Sequence, residues 1–408
     1  MPVRKFILLT FSAFLVARTA SADVGALRDQ LMSSDETTVA QALKEAESLS
    51  PKDRKMLVMS LIVPLNRNPE SAQAAARALA LIGKESEEAL PELMEALRFD
   101  DPAVALAVGA ALLKIGPDAV RPLIKALDDP NFVIRQRAAE ILGAFGPEAK
   151  RAAPDLVELL RDNQTETAAE GALLKIGAPS VPALTDALRK SDPATRQTLI
   201  RLLAHFGPAA SPALIQTLRK DDSSTVRVYA AGALAAIRPV AADAVPALID
   251  AMRDPDDNAR TAVVGALAQL GPEAKAAIGI LIVASHRDSE ELVKQTSLRA
   301  LQNIGRATKA SLPGLIDNLK ADEGDIRRES VIAIGQADVA PGERIPLLAL
   351  ALKDGDPNVK MPAVEAAAEL VKTNKDAVSL LRIASFDGDK KVRAAALDAL
   401  GGSHRRAG

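Results

Sequence analysis

The sequence predicts an all-α fold, an α-solenoid of stacked antiparallel helix pairs, on three observations. A stretch that reads as a helical hairpin, Val120 to Gly146, recurs in reworded form along most of the chain. The leucine-type residue before each closing glycine returns at intervals of 30–34 residues, at Leu112, Leu142, Leu173, Leu203, Leu234, Leu267, Leu301, Ile334, Ala367 and Leu400. Hydrophobic residues make up 48% of the 408 positions but aromatics only 2%, so the core must be Ala, Leu, Ile and Val, which let helices approach closely. One hairpin cannot bury its apolar face alone, so the copies must stack.

Each part of the hairpin has a local cause. Pro122 sits where a helix can start without losing a needed N–H, and Leu123, Ile124 and Leu127 follow as an apolar stripe. Asp129-Pro130 supplies a capping oxygen and a preset φ for a second helix. That helix carries Ile134, Ala138, Ile141, Leu142 and Phe145 at helical spacing. Gly146-Pro147 stops it, the glycine able to take the left-handed conformation and the proline unable to continue.

In chain order, residues 1–22 read as a secretory signal: Arg4 and Lys5, an apolar run from Phe6 to Ala17, then Ala20-Ser21-Ala22 before Asp23. Arg18 fits this pattern poorly, and the alternative is an uncleaved N-terminal anchor. The expected product is exported and starts at Asp23. Its longest apolar run, Ile278 to Ala284, is too short to span a bilayer. Residues 23–83 should form two divergent hairpins that cap the array, because a terminal repeat must offer one face to solvent. Residues 84–402 should hold about ten copies. Their first helices open at Pro91, Pro122, Pro154, Pro182, Pro212, Pro246, Pro313 and Pro346, with Gly279 and Ser379 in the other two. In the fifth copy Arg238-Pro239 replaces the closing Gly-Pro; in the ninth, Pro362 should kink the second helix or delay its start. Residues 403–408 should be a frayed tail.

Removing residues 1–22 takes away three basic and no acidic side chains, leaving 48 basic against 53 acidic and a net charge of −5. A nucleic-acid binder usually shows the opposite balance. There is no cysteine, which excludes disulfides, thiol nucleophiles and Cys-ligated metals.

Tetratricopeptide repeats share the period but expect Trp and Tyr at fixed places, and this chain has no Trp and one Tyr. Ankyrin repeats expect a Thr-Pro-Leu-His opening, which is absent. The residues resemble the HEAT repeat, in its short phycobilisome-lyase-like variant, over about residues 85 to 401. The pattern is Asp-Pro, then Val-Arg, then Ala-Ala-x-Ala-Leu-Gly, as in Asp387 with Val392-Arg393 through Leu400-Gly401, or Val226-Arg227 through Ala233-Leu234. The resemblance implies a right-handed superhelix of stacked helix pairs. Ordinary HEAT units run to about 40–47 residues, so the shorter period fits the compact variant.

One position of the second helix is basic in most copies: Arg135, Arg196, Arg227, Arg260, Lys294, Arg327, Lys360 and Arg393. Six of them have an aspartate six residues earlier: Asp129, Asp221, Asp254, Asp288, Asp354 and Asp387. The HEAT resemblance implies that such residues form a structural ladder tying neighbouring turns together. The alternative is a cationic stripe that reads a polyanion. The copies with Ala105 and Glu166 at this position should be the loose joints.

Catalytic and metal chemistry find little support, and no cofactor is expected. His205, His286 and His404 stand in unrelated contexts. Some HEAT-like proteins are iron-dependent hydroxylases marked by His-Glu dipeptides, which this chain lacks. A lyase-like or hydroxylase-like enzyme stays open as the alternative of a different class. Five positions beyond the basic residue, where a second helix should face the groove, stand Ala110, Glu140, Gly171, Arg201, Gly232, Gly265, Arg299, Ile332, Glu365 and Asp398. Beside the bare middle lie Val228, Tyr229, Thr261, Gln295 and Arg299, a candidate partner-binding set with Tyr229 as anchor, although a Tyr packed between helices would give the same pattern. The expectation is an exported, monomeric, non-catalytic scaffold whose second helices grip a protein or peptide partner.

Overall fold

The structure, a computed structural model, describes residues 24–404; the expected signal, its Ala20-Ser21-Ala22 site and the last four residues lie outside the described residues. Among the described residues there are helices and turns and no strand. The chain divides into two compact units, Met1–Lys190 and Ser191–Gly408. The division falls inside the fourth copy, between its two helices.

In the first unit α1 (Val24–Leu31) pairs with α2 (Glu36–Ser48), and α3 (Pro51–Leu65) with α4 (Pro69–Ile82). The regular copies follow as α5 (Leu90–Ala96) with α6 (Pro102–Ile115), α7 (Val120–Ala126) with α8 (Phe132–Phe145), and α9 (Ala153–Leu159) with α10 (Glu166–Ile176). The unit closes on α11 (Val181–Leu188). In seven of the ten regular copies a 3-10 turn, such as Gly146–Ala152, takes up the start of the copy ahead of the first helix.

The second unit opens on α12 (Pro193–Ala204), followed by α13 (Ser211–Lys220) with α14 (Ser224–Ala236), and α15 (Ala244–Ala251) with α16 (Asp257–Leu270). Next are α17 (Ile278–Arg287) with α18 (Glu291–Ile304), and α19 (Leu312–Asn318) with α20 (Gly324–Gly335). The last pairs are α21 (Pro341–Ala351) with α22 (Pro357–Leu370), and α23 (Asp376–Ala384) with α24 (Lys390–His404).

The core of each unit is the predicted aliphatic stripe. Leu112, Leu142, Leu173, Leu203, Leu234, Leu267, Ile334 and Ala367 are all buried. Small residues set the spacing: a Cβ added at Gly143 would fall 2.8 Å from the Cα of Ala172 on the next second helix. Caps come from the turn residues: the Asp101 carboxylate accepts from the N–H groups of Ala103 and Val104, and α8 is capped by Asn131, accepting from Val133, rather than by the expected Asp129, which accepts the Asn131 N–H instead.

Four details differ from the sequence reading. The closing glycines have positive φ but not the left-handed helical conformation: Gly116 lies at φ 96, ψ −152 and Gly146 at φ 59, ψ −138. This extended mirror-image region is open to glycine alone, and it turns the chain outward into the next copy. First helices open one or two residues before most of the prolines, and in the ninth copy α21 begins at Pro341 with Pro346 inside it. Pro362 does not delay α22, which starts at Pro357 under an Asp356 cap. Finally, Asp257–Arg287 is long and apolar enough by composition to pass for a membrane span, yet 56% of that window is buried inside the protein.

Candidate functional site

The acidic and basic residues of the repeat form a backward-pointing relay. Each of the six aspartates pairs with a cation from the preceding copy. Arg227 Nε and Nη2 lie 2.6 and 2.7 Å from the Asp254 carboxylate, Arg260 makes the same fork with Asp288 at 2.8 and 2.9 Å, and Arg327 reaches Asp354 at 2.7 Å. Lys360 meets Asp387 at 2.8 Å and Arg196 meets Asp221 at 3.3 Å. The aspartate six residues earlier in the same copy gives its backbone carbonyl instead: Arg227 donates to Asp221 O at 2.9 Å, Arg260 to Asp254 O at 2.8 Å and Arg393 to Asp387 O at 2.5 Å. One guanidinium therefore ties its own turn to the next. Each aspartate also accepts the N–H two residues on, as Asp254 does from Asp256 at 2.9 Å, which fixes the carboxylate for its partner.

The first copies vary the theme. Arg135 donates to Asp129 O at 2.9 Å and pairs with Asp162 at 2.6 Å. Asp162 escapes the repeat alignment because α10 is only 11 residues long, which shifts the acidic turn by two positions. Its sign in the sequence is the same local motif, a carboxylate accepting the N–H of Gln164 two residues on. Ala105 leaves a gap that Arg98, at the end of α5, fills by reaching Asp129 at 2.9 Å. Lys294 is the departure in the second unit: the position equivalent to the aspartate in the next copy is Ala321, and the ion pair it makes is with Glu291 of its own helix at 4.0 Å.

These pairs shift the carboxyls. Burial pushes Asp288 and Asp354 up, but Arg260 and Arg327 together with backbone N–H groups outweigh it and hold both below the usual carboxylate range. Lys360 holds Asp387 down in the same way. Asp221 goes the other way, raised chiefly by burial despite Arg196.

The candidate binding face lies on α14, α16 and α18, three packed neighbours. Tyr229 is 47% exposed, so its ring stands on the surface of α14 rather than between helices. Val228 and Thr261 are half-buried; Gln295 and Arg299 are exposed. A Cβ added at Gly232 or Gly265 would meet no neighbouring atom within 4 Å. Neither glycine is there to relieve a clash. Sequence reading missed a second apolar face in the first unit, where Leu106 on α6 is 77% exposed beside Leu113. With Val133, Gln136 and Glu140 of α8 they line a cleft of about 490 Å³. Its sign was the run of apolar residues all round α6, which exceeds what one buried face needs.

The profile for HEAT repeats matches residues 100–177, 181–242, 211–302, 245–335 and 312–401, and that for the PBS lyase HEAT-like repeat matches residues 72–99. The chain belongs to the HEAT-repeat family. Among curated relatives, an uncharacterized protein of Bacillus subtilis, SkfG, is 36% identical over 83 residues, which is 20% of this chain and 48% of that protein. A phycobilisome maturation protein of Synechococcus elongatus is 25% identical over 140 residues, 34% of this chain and 67% of that protein. The chain thus spans about half to two thirds of the relatives' lengths. Similarity to solved structures is at low identity. The karyopherin Kap121p, bound to the extreme C-terminus of the protein phosphatase Cdc14p, has a TM-score of 0.42 at 16% identity, covering 98% of this HEAT chain and 57% of that one. An engineered protein has a TM-score of 0.31 at 22% identity, covering 84% and 98%. Human deoxyhypusine hydroxylase has a TM-score of 0.26 at 21% identity, covering 62% and 96%. Among the described residues no group of three or more His, Asp or Glu side chains is placed to hold a metal ion.

Proposed function

We propose that this HEAT-repeat protein is an exported, non-catalytic scaffold that binds a protein segment on its second-helix faces, with Tyr229 as an anchor. The observation that carries the reading is the bare floor beside that ring. A glycine inside a helix costs about 0.5–1 kcal/mol relative to alanine, and α14 and α16 bear that cost at Gly232 and Gly265 with no steric need for it. Open backbone beside a half-exposed aromatic suits a partner chain that lies close to the helices. Export rests on the charged, apolar and small-residue pattern of residues 1–22.

The test is a pull-down from the envelope fraction of the exporting cell with wild-type protein, Tyr229→Ala and Gly265→Leu. The expected result is a partner retained by wild type and lost with both variants. Gly265→Ala should raise stability by about 0.4–1 kcal/mol, which separates lost binding from lost folding. A partner held equally by all of them would overturn this face as the site. N-terminal sequencing of the exported protein should begin at Asp23, and an intact Met1 in the envelope would support an anchor instead.

A further inference from the structure

Second helices of neighbouring copies pack side by side along α12, α14, α16 and α18, and again along α20, α22 and α24. Between α18 and α20 this packing falls away, and α20 leans mainly on α17, the first helix of the preceding copy. On the opposite side of the joint the first helices come unusually close. A Cβ at Gly279 would fall 2.7 Å from the carbonyl carbon of Gly314, so α17 and α19 meet backbone to backbone. Buried Asn318 pins them there, its amide donating to Gly279 O at 2.9 Å. The close approach of the first helices and the weak packing of the second helices fall at the same joint.

The side chains along the opening show what it lacks. The residue four beyond the ladder position packs against the next copy at Ala139, Ile200, Ala231, Val264, Val331 and Val364, all buried to within 1%. At this joint the equivalent residue is Leu298, and it is 51% exposed. One turn earlier stands Lys294, the ladder cation whose next-copy carboxylate is replaced by Ala321. An uncovered leucine and a cation without its cross-joint carboxylate therefore lie one helical turn apart on the same edge of α18.

We propose that the opening between α18 and α20 is a slot for an acidic, apolar segment of a partner protein. An aspartate or glutamate of that segment takes the place left by Ala321 and pairs with Lys294, and a bulky apolar side chain beside it covers Leu298. The inserted segment supplies what the repeat supplies at every neighbouring joint of the second unit. This rests on the scaffold reading and adds the partner's chemistry and a place of entry distinct from Tyr229.

The test is selection of random twelve-residue peptides displayed on phage against the mature chain, followed by binding of the enriched peptides, made synthetically, to variants. The expected peptides carry Asp or Glu within one helical turn of Leu, Ile or Phe. Their affinity should fall at least tenfold with Leu298→Glu. It should fall similarly with Ala321→Asp, which installs the missing carboxylate and should raise the thermal midpoint, so loss of binding there cannot be loss of folding. Peptides indifferent to both variants but lost with Tyr229→Ala would overturn the slot and leave the scaffold reading standing. Failure to enrich any acidic, apolar peptide would overturn the slot too, while the envelope pull-down decides the scaffold reading independently. A wild-type dimer that Leu298→Glu turns into monomers would assign the slot to a second copy and overturn the partner segment.

Discussion

At the scale of single residues, the Arg260–Asp288 pair shows how the repeat uses charge. Both side chains are about nine-tenths buried, so the pair loses much of its hydration and recovers it only through the fork geometry and the extra bond to Asp254 O. Such pairs add less net stability than their separation suggests, but breaking one leaves a buried carboxylate unmatched. Arg260→Gln should therefore cost about 1–3 kcal/mol, read as a lower thermal midpoint at pH 7. The pH dependence has a definite sign. The Asp288 carboxyl is held below its ordinary 3.8 in the folded protein, so its contribution is fully present above that value. It is lost as pH falls through the lower folded value. Asp354 and Asp387 act in the same direction, whereas Asp221, raised by burial, opposes them. The wild type should lose stability steeply below about pH 4, and Arg260→Gln should show a smaller loss over the same range. Equal acid limbs in the two proteins would argue that the fork does not hold the Asp288 charge.

At the scale of the helix pair, the sequence made the fold legible because each copy repeats the same local causes. Capping aspartates, a 3.6-period aliphatic stripe and a glycine stop recur often enough to outweigh any single ambiguity. What the sequence did not reveal was tertiary. It showed that Asp254 and Arg260 recur together, but not that Arg260 reaches forward to Asp288 while Asp254 serves Arg227, because period alone does not tell a bond within a copy from one between copies. Gly279 stood out only as a missing proline; its role needs Gly314 beside it, 35 residues on. Tyr229 could be placed at a groove position but not shown to be exposed. The nearest-neighbour character of such stacks leads to a prediction at this scale. Leu142 is fully buried in α8, so Leu142→Ala should cost about 2–5 kcal/mol. Hydrogen exchange should show the loss of protection concentrated in α6, α8 and α10 and fading toward α1, since each copy contacts only its neighbours. A uniform loss across the first unit would mean that it unfolds as one block.

At the scale of the whole molecule, the question is whether the recurrent cations serve the fold or a polyanion. Charge balance favours the fold, since the chain without residues 1–22 carries a net charge of −5. Geometry adds the stronger argument: the ladder side chains of Arg227, Arg260, Arg327 and Lys360 are 11–17% exposed and each already holds a carboxylate. A phosphate would have to displace that carboxylate and leave it buried and unpaired, which costs more than a surface contact returns. Among the described ladder cations, Lys294, at 32% exposure, lacks a cross-joint carboxylate and Arg393 of the last copy bonds backbone carbonyls, and two such separated cations give little of the salt-dependent affinity that a row of them would. Replacing Arg260 and Lys294 together with Gln separates the two roles in one protein. The expected outcome is a lower thermal midpoint, owed mainly to Arg260, with elution from heparin at the same salt concentration as wild type. A double variant that melts unchanged and elutes from heparin at lower salt would overturn the structural role and make the row of cations a polyanion surface.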